Sequence, residues 1–116
     1  MILNRRELLA TAAAAPVAAA LARPARAQAG VIKIGVLNDQ SGVYRDISGP
    51  TSTACVRQAV EEFGSKGFQV EVVSGDHQNK TDVGATIARQ WIDRDGVDMI
   101  IDVANSGVAL AVNGVC

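Results

Sequence analysis

The side chains in this 116-residue chain that could do chemistry are one histidine, His77, and a scatter of serines and acids. His77 lies in Asp76-His77-Gln78-Asn79, a polar stretch with the composition of a loop. Hydrolysis needs a nucleophile, a base and an orienting acid. No G-x-S-x-G and no H-E-x-x-H accompanies the histidine. A lone His in a polar loop is more often a surface or loop-bracing residue than a catalyst or metal ligand. Phosphate binding fares no better. In LNDQSGVYRDISGP, residues 37–50, Gly42 and Gly49 are spaced for neither G-x-G-x-x-G nor a lysine-bearing phosphate loop. No enzyme activity, metal or cofactor is therefore expected.

What remains is noncovalent capture of a small polar molecule. Ser106 opens an apolar segment with helical spacing, where its hydroxyl and the free N–H groups of a first turn would suit a carboxylate. The same hydroxyl could equally cap its own helix. Ser41 and Gly42 can form a turn, while Tyr44 can lay an aromatic face and a hydroxyl against a ligand. Asp39, Arg45 and Asp46 read as solvated charges or a local ion pair.

These residues need elements to hold them. VIKIGVL, residues 31–37, is apolar apart from Lys33 and rich in branched side chains, as in a strand covered on both faces. Pro50 can open a helix, and Val56, Ala59, Val60 and Phe63 recur at helical spacing up to a capping Gly64. Phe68, Val70 and Val72 alternate with polar residues as a second strand, and SGDHQNK follows as a loop. Thr81 or Asp82 would cap a second helix with Val83, Ile87 and Trp91 as its buried stripe, ended by Gly96. VDMIIDV, residues 97–103, is a third strand, and Val108, Ala111, Val112 and Val115 mark a third helix.

Strand starts about 30 to 40 residues apart predict a parallel sheet with right-handed crossovers. The fold class is thus α/β: a three-layer β-α-β-α-β-α unit with helices on both faces of the sheet and the first strand in the middle. Ligand sites in such sheets lie beyond the carboxyl ends of the strands, here residues 38–49, 74–81 and 104–107. Three strands with open edges and a last helix stopping at Cys116 predict an incomplete lobe, an N-terminal fragment of something longer.

Residues 1–29 read as an export signal: Arg5-Arg6, an apolar stretch from Leu8 to Ala22, and a small-residue end at Ala27-Gln28-Ala29. The stretch is shorter than the ~20 residues of a spanning helix, and Pro16 interrupts it. Asn4-Arg5-Arg6-Glu7-Leu8-Leu9 resembles a twin-arginine signal, with Asn4 and Leu8 departing from that pattern. Cleavage after Ala29 would remove four arginines and Glu7, leaving seven basic against eleven acidic residues, a net charge of −4. A periplasmic location is expected. An acidic chain with one Trp and one Tyr has no basic stripe or stacking platform, so nucleic acid is not an expected partner. Cys55 and Cys116 make no disulfide framework, and Cys55 reads as a small core residue.

Two families come into view on these segments. GVDMIIDVANSG resembles the third strand of a phosphoacceptor receiver domain, with Asp102 as acceptor. However, the acid pair that should follow the first strand is reduced to Asn38-Asp39, and phosphodonors do not fit an exported chain. The ordered set IKIGVLNDQSGVYRDISGP, GDHQNKTDVGATIARQWIDRDGVDMIIDV and NSGVALAV instead resembles the periplasmic solute-binding proteins of branched-chain amino acid transporters, over nearly all of residues 30–116. That resemblance implies part of the N-terminal lobe of a two-lobed protein. Such a protein closes on a small amino acid-like or carboxylate ligand and delivers it to an ABC transporter permease in the inner membrane. It also implies ligand contacts from Ser41 and Tyr44 after the first strand and from Asn105 and Ser106 after the third. A sensory receptor domain of the same fold is the other reading that the resemblance allows.

Overall fold

A computed structural model describes residues 30–64 and 67–116, so the expected export signal lies outside the described residues. Its three strands are β1 (Val31–Asn38), β2 (Gln69–Asp76) and β3 (Met99–Ile101). The helices are α1 (Pro50–Phe63), α2 (Thr81–Gln90) and α3 (Ser106–Asn113). The sheet is wholly parallel, in the order β2-β1-β3, with β1 in the middle as expected. Val31 pairs with Gln69 and Asn38 with Asp76 on one side, and Ile34 with Met99 on the other.

Alternation along β1 sends its side chains to two different layers. Leu37 joins Ala88, Trp91, Val97, Val108 and Val112 in the core beneath α2 and α3. Gly35 lies on the same face because the Trp91 ring occupies the space of its side chain; a Cβ there would come within 2.5 Å of the ring. Ile34, Val70 and Ile101 face α1 instead. With Val56, Ala59, Val60 and Phe63 they line an apolar groove of about 420 Å³. Burial deepens along β1 from exposed Val31 to Val36, Leu37 and Asn38, which are fully buried, so the sheet is packed most tightly at its carboxyl end.

Several boundaries differ from the sequence reading. β2 runs on through Ser74, Gly75 and Asp76, because full pairing with β1 satisfies their backbone despite their polarity. β3 is short: the Asp98 N–H still donates to the Lys33 carbonyl, but Asp102 turns to φ 63° and ends the strand. α2 gives way to a π-helical turn over Trp91–Asp95, closed by Gly96 in the left-handed conformation. Lys80 occupies the N-cap of α2, so neither Thr81 nor Asp82 caps it. Cys55 is exposed, not in the core, since the neighbouring Val56, Ala59, Val60 and Phe63 form the stripe that faces the sheet.

Candidate functional site

The carboxyl ends of the strands carry three polar loops. In the first, Asp39 is fully buried. One of its carboxylate oxygens accepts the Gly42 N–H at 2.6 Å and the other the Tyr44 N–H at 2.9 Å. The expectation of a solvated Asp39 is therefore wrong: the carboxylate is the hub of its own loop, and its contacts to two backbone N–H groups replace water. Arg45 and Asp46 do form an exposed local pair at 3.4 Å. Asn38, also fully buried, points its amide nitrogen at the carbonyls of Ser48 and Gly49, each at 2.9 Å, and at Asp102 Oδ2 at 2.8 Å.

The second loop is tied to the first through Asp76. Its Oδ1 accepts the N–H groups of Gln40 at 2.9 Å and Gln78 at 2.8 Å, and its Oδ2 accepts the Ser41 hydroxyl at 2.6 Å. Burial alone would raise the Asp76 pKa, but the hydrogen bonds from Ser41, Gln40 and Gln78 outweigh it and hold the acid below the usual carboxylate range. Gln78 and Asn79 then take positive φ in a tight turn closed by the Lys80 N–H on the His77 carbonyl. His77 is fully buried and braces this turn by accepting the Asn79 N–H on Nδ1 at 3.0 Å. Its Nε2 has no protein partner among the described residues.

The third loop hangs on the second. Asn105 caps α3, its side-chain oxygen accepting the Val108 N–H at 3.0 Å, while its amide nitrogen donates to Asn79 Oδ1. The capping role left open for Ser106 thus falls to the residue before it. Ser106 is exposed, and its hydroxyl makes no hydrogen bond among the described residues. The N–H groups of Ser106 and Gly107, in the first turn of α3, likewise have no protein partner there.

Of the four expected contact residues, Ser41 and Asn105 are laced to the same second loop, through Asp76 and Asn79 respectively, and Ser106 follows directly. Tyr44 is 38% exposed and is held through its backbone, its N–H donating to Asp39 and its carbonyl accepting the N–H groups of Ile47 and Ser48. The rim is an open polar edge. A wider hollow of about 610 Å³, lined by Val31, Phe68 and Gln69, lies at the opposite end of the strands, away from these groups. Among the described residues no group of three or more His, Cys, Asp or Glu side chains is gathered to hold a metal.

Sequence reasoning missed Asn38, Asp39, Asp76 and Asn79 as the lacing of this rim. The signal for Asp39 was its place three residues before Gly42, an arrangement in which a short acid can receive backbone N–H groups of the turn it opens. Asn105 could have been found from the Asn-Ser pair, since Asn caps helices as well as Ser does.

The sequence profile described as periplasmic binding protein matches residues 31–116. The chain belongs to that family. Among solved structures, a branched-chain amino acid ABC transporter periplasmic ligand-binding protein from Burkholderia xenovorans is 54% identical, with a TM-score of 0.67 over 72% of this chain and 23% of that one. A periplasmic binding protein from Burkholderia mallei is 45% identical, with a TM-score of 0.70 over 75% of this chain and 24% of that one. An ABC transporter solute-binding protein from R. palustris, solved with benzoate, is 26% identical, with a TM-score of 0.65 over 74% and 24%. No curated protein matches the chain. The chain therefore spans about a quarter of the length of these periplasmic binding proteins, and its described part is a partial type I periplasmic binding fold. The receiver reading of Asp102 is not favoured by this membership, and the Asp102 carboxylate is engaged by Asn38.

Proposed function

We propose that this chain contributes one side of the ligand mouth of a periplasmic solute-binding protein, the capture component of an ABC importer. The observation that carries this reading is the start of α3. There an exposed Ser106 hydroxyl and the unpartnered N–H groups of Ser106 and Gly107 offer three donors at the positive end of a helix. A carboxylate would satisfy them. Ser41 and Tyr44 would contact the same ligand from the first loop, while Asn105 contributes by holding the α3 terminus in place.

The relative of the branched-chain amino acid transporter type and the one solved with benzoate support a small carboxylate-bearing solute, either an amino acid or an aromatic acid. Capture breaks no bond. It would act by population shift, with contacts from a second lobe favouring a closed form that the inner-membrane permease recognises. No helix among the described residues is long and apolar enough to cross a membrane.

Titrating the ¹⁵N-labelled chain with benzoate and with L-leucine tests the reading. Amide shifts should concentrate at Ser106, Gly107 and the loop from Gln40 to Tyr44, with weak, millimolar affinity because only one side of the mouth is present. Shifts confined to the α1 groove, or absent at Ser106 and Gly107 with both ligands, would overturn it.

A further inference from the structure

This inference deepens the capture reading and rests on it. Ser41 and Ser106 both present exposed hydroxyls on the rim, yet their hydrogen bonding differs. Ser106 has no intramolecular partner among the described residues. Ser41 Oγ lies 2.6 Å from Asp76 Oδ2. The Asp76 carboxylate also receives two backbone N–H groups, from Gln40 and Gln78, so it sits in a nest of donors that suits its ionised form. An ionised carboxylate has no proton to give, so the single O–H of Ser41 must point at Asp76. What Ser41 can then offer a ligand is lone pairs only.

We propose that Asp76 is a specificity-determining positioning residue. By taking the Ser41 proton and fixing the first loop to the second, it turns this edge of the mouth into a hydrogen-bond acceptor that selects ligands bearing a donor as well as a carboxylate. The two ends of the rim then have opposite character. The α3 terminus presents donors for a carboxylate, whereas the Ser41–Asp76 edge presents an acceptor backed by negative charge for an ammonium or a hydroxyl. A ligand with only a carboxylate has no donor to give that acceptor edge and brings its own negative charge towards Asp76. Were Asp76 only a staple between loops, its removal would weaken all ligands alike.

The test uses two matched pairs on the full chain, followed by the amide shifts of Ser106 and Gly107. L-Isoleucine against 3-methylpentanoate places the extra donor beside the carboxylate, and 4-hydroxybenzoate against benzoate places it across a ring. In at least one pair the donor-bearing member should bind about five- to tenfold more tightly, with an added shift at Gln40 and Ser41. Asp76→Asn can donate its own amide hydrogen to Ser41, so that ratio should fall to within about twofold. Ser41→Ala removes the acceptor while leaving Asp76 its two backbone partners, and it should lose the ratio in the same way if Asp76→Asn fails to fold. Equal affinities within both pairs, or a ratio kept by Ser41→Ala, overturns the proposal. Absence of any shift at Ser106 and Gly107 with all four compounds would instead sink the capture reading, and this proposal with it.

Discussion

Asn38 at the end of β1 donates its side-chain amide to the Asp102 carboxylate at the end of β3, at 2.8 Å. The bond joins the two strand ends that carry the first and third loops, and it secures a residue with φ of 63°, where a non-glycine residue pays for its Cβ. Two opposing effects therefore meet at Asp102. Asp102→Ala loses the bond and keeps the backbone cost, so it should destabilise by about 1–2 kcal/mol in urea unfolding. Asp102→Gly loses the same bond but relieves the backbone, and it should be less damaging than Ala by about 0.5–1 kcal/mol. Equal losses for the two variants would show that the left-handed backbone carries no cost here.

The order of elements was legible in the sequence because it rests on apolar spacing. Val31 to Leu37 reads as a strand and Pro50 to Phe63 as a helix, and both form, although the strand is covered only towards its carboxyl end and not along its whole length. The ends of the strands were not legible, since what extends or stops them is pairing with a neighbour. Gly75 and Asp76 have poor strand propensity but face Leu37 and Asn38 of β1, and that register holds them extended. The polar rim was the least legible part. Asp39 and Asp76 look like surface acids in one dimension, and only the converging loops supply the N–H groups that make them hubs, the first fully buried and the second partly so.

Asp76 should leave a mark on the acid limb of the stability curve. Its folded-state pKa is lowered, so the stabilisation is complete above the ordinary carboxylate range and is lost as the pH falls through the folded value. Asp76→Asn should be less stable than the parent chain at pH 7 by about 1 kcal/mol, a figure that allows for partial exposure of the site to solvent. The gap should close on acidification below the usual carboxylate range. Denaturant unfolding from pH 7 to pH 2 checks this, and a gap that widens towards acid would contradict the assigned direction.

Gly84 lies where α2 packs against α3. A Cβ there would lie 2.5 Å from the Val108 side chain, which is fully buried. Ala should gain about 1 kcal/mol in helix propensity over Gly. The overlap should cost about 1–3 kcal/mol and outweigh that gain, so Gly84→Ala is expected to be destabilising on balance. Adding Val108→Ala removes the obstructing methyl groups. In a double-mutant cycle the pair should therefore show a favourable coupling of about 1 kcal/mol. Additive losses would mean that the helices simply move apart.

Asn105 separates stability from ligand binding, because its substitutions should rank differently in the two. It caps α3 through its oxygen and ties the third loop to Asn79 through its nitrogen. Asn105→Ala loses both and should cost about 1–2 kcal/mol, whereas Asn105→Ser and Asn105→Asp keep a capping oxygen and should cost less. Asp supports the helix through its charge at the positive end of the dipole. That same charge, one residue from Ser106, would repel an incoming carboxylate. Benzoate affinity should therefore fall by about tenfold in Asn105→Asp and far less in Asn105→Ser, although the two variants are similarly stable. Parallel urea unfolding and amide-shift titrations would show it. Affinity that tracks stability across the three variants would mean that the α3 terminus is only a structural joint.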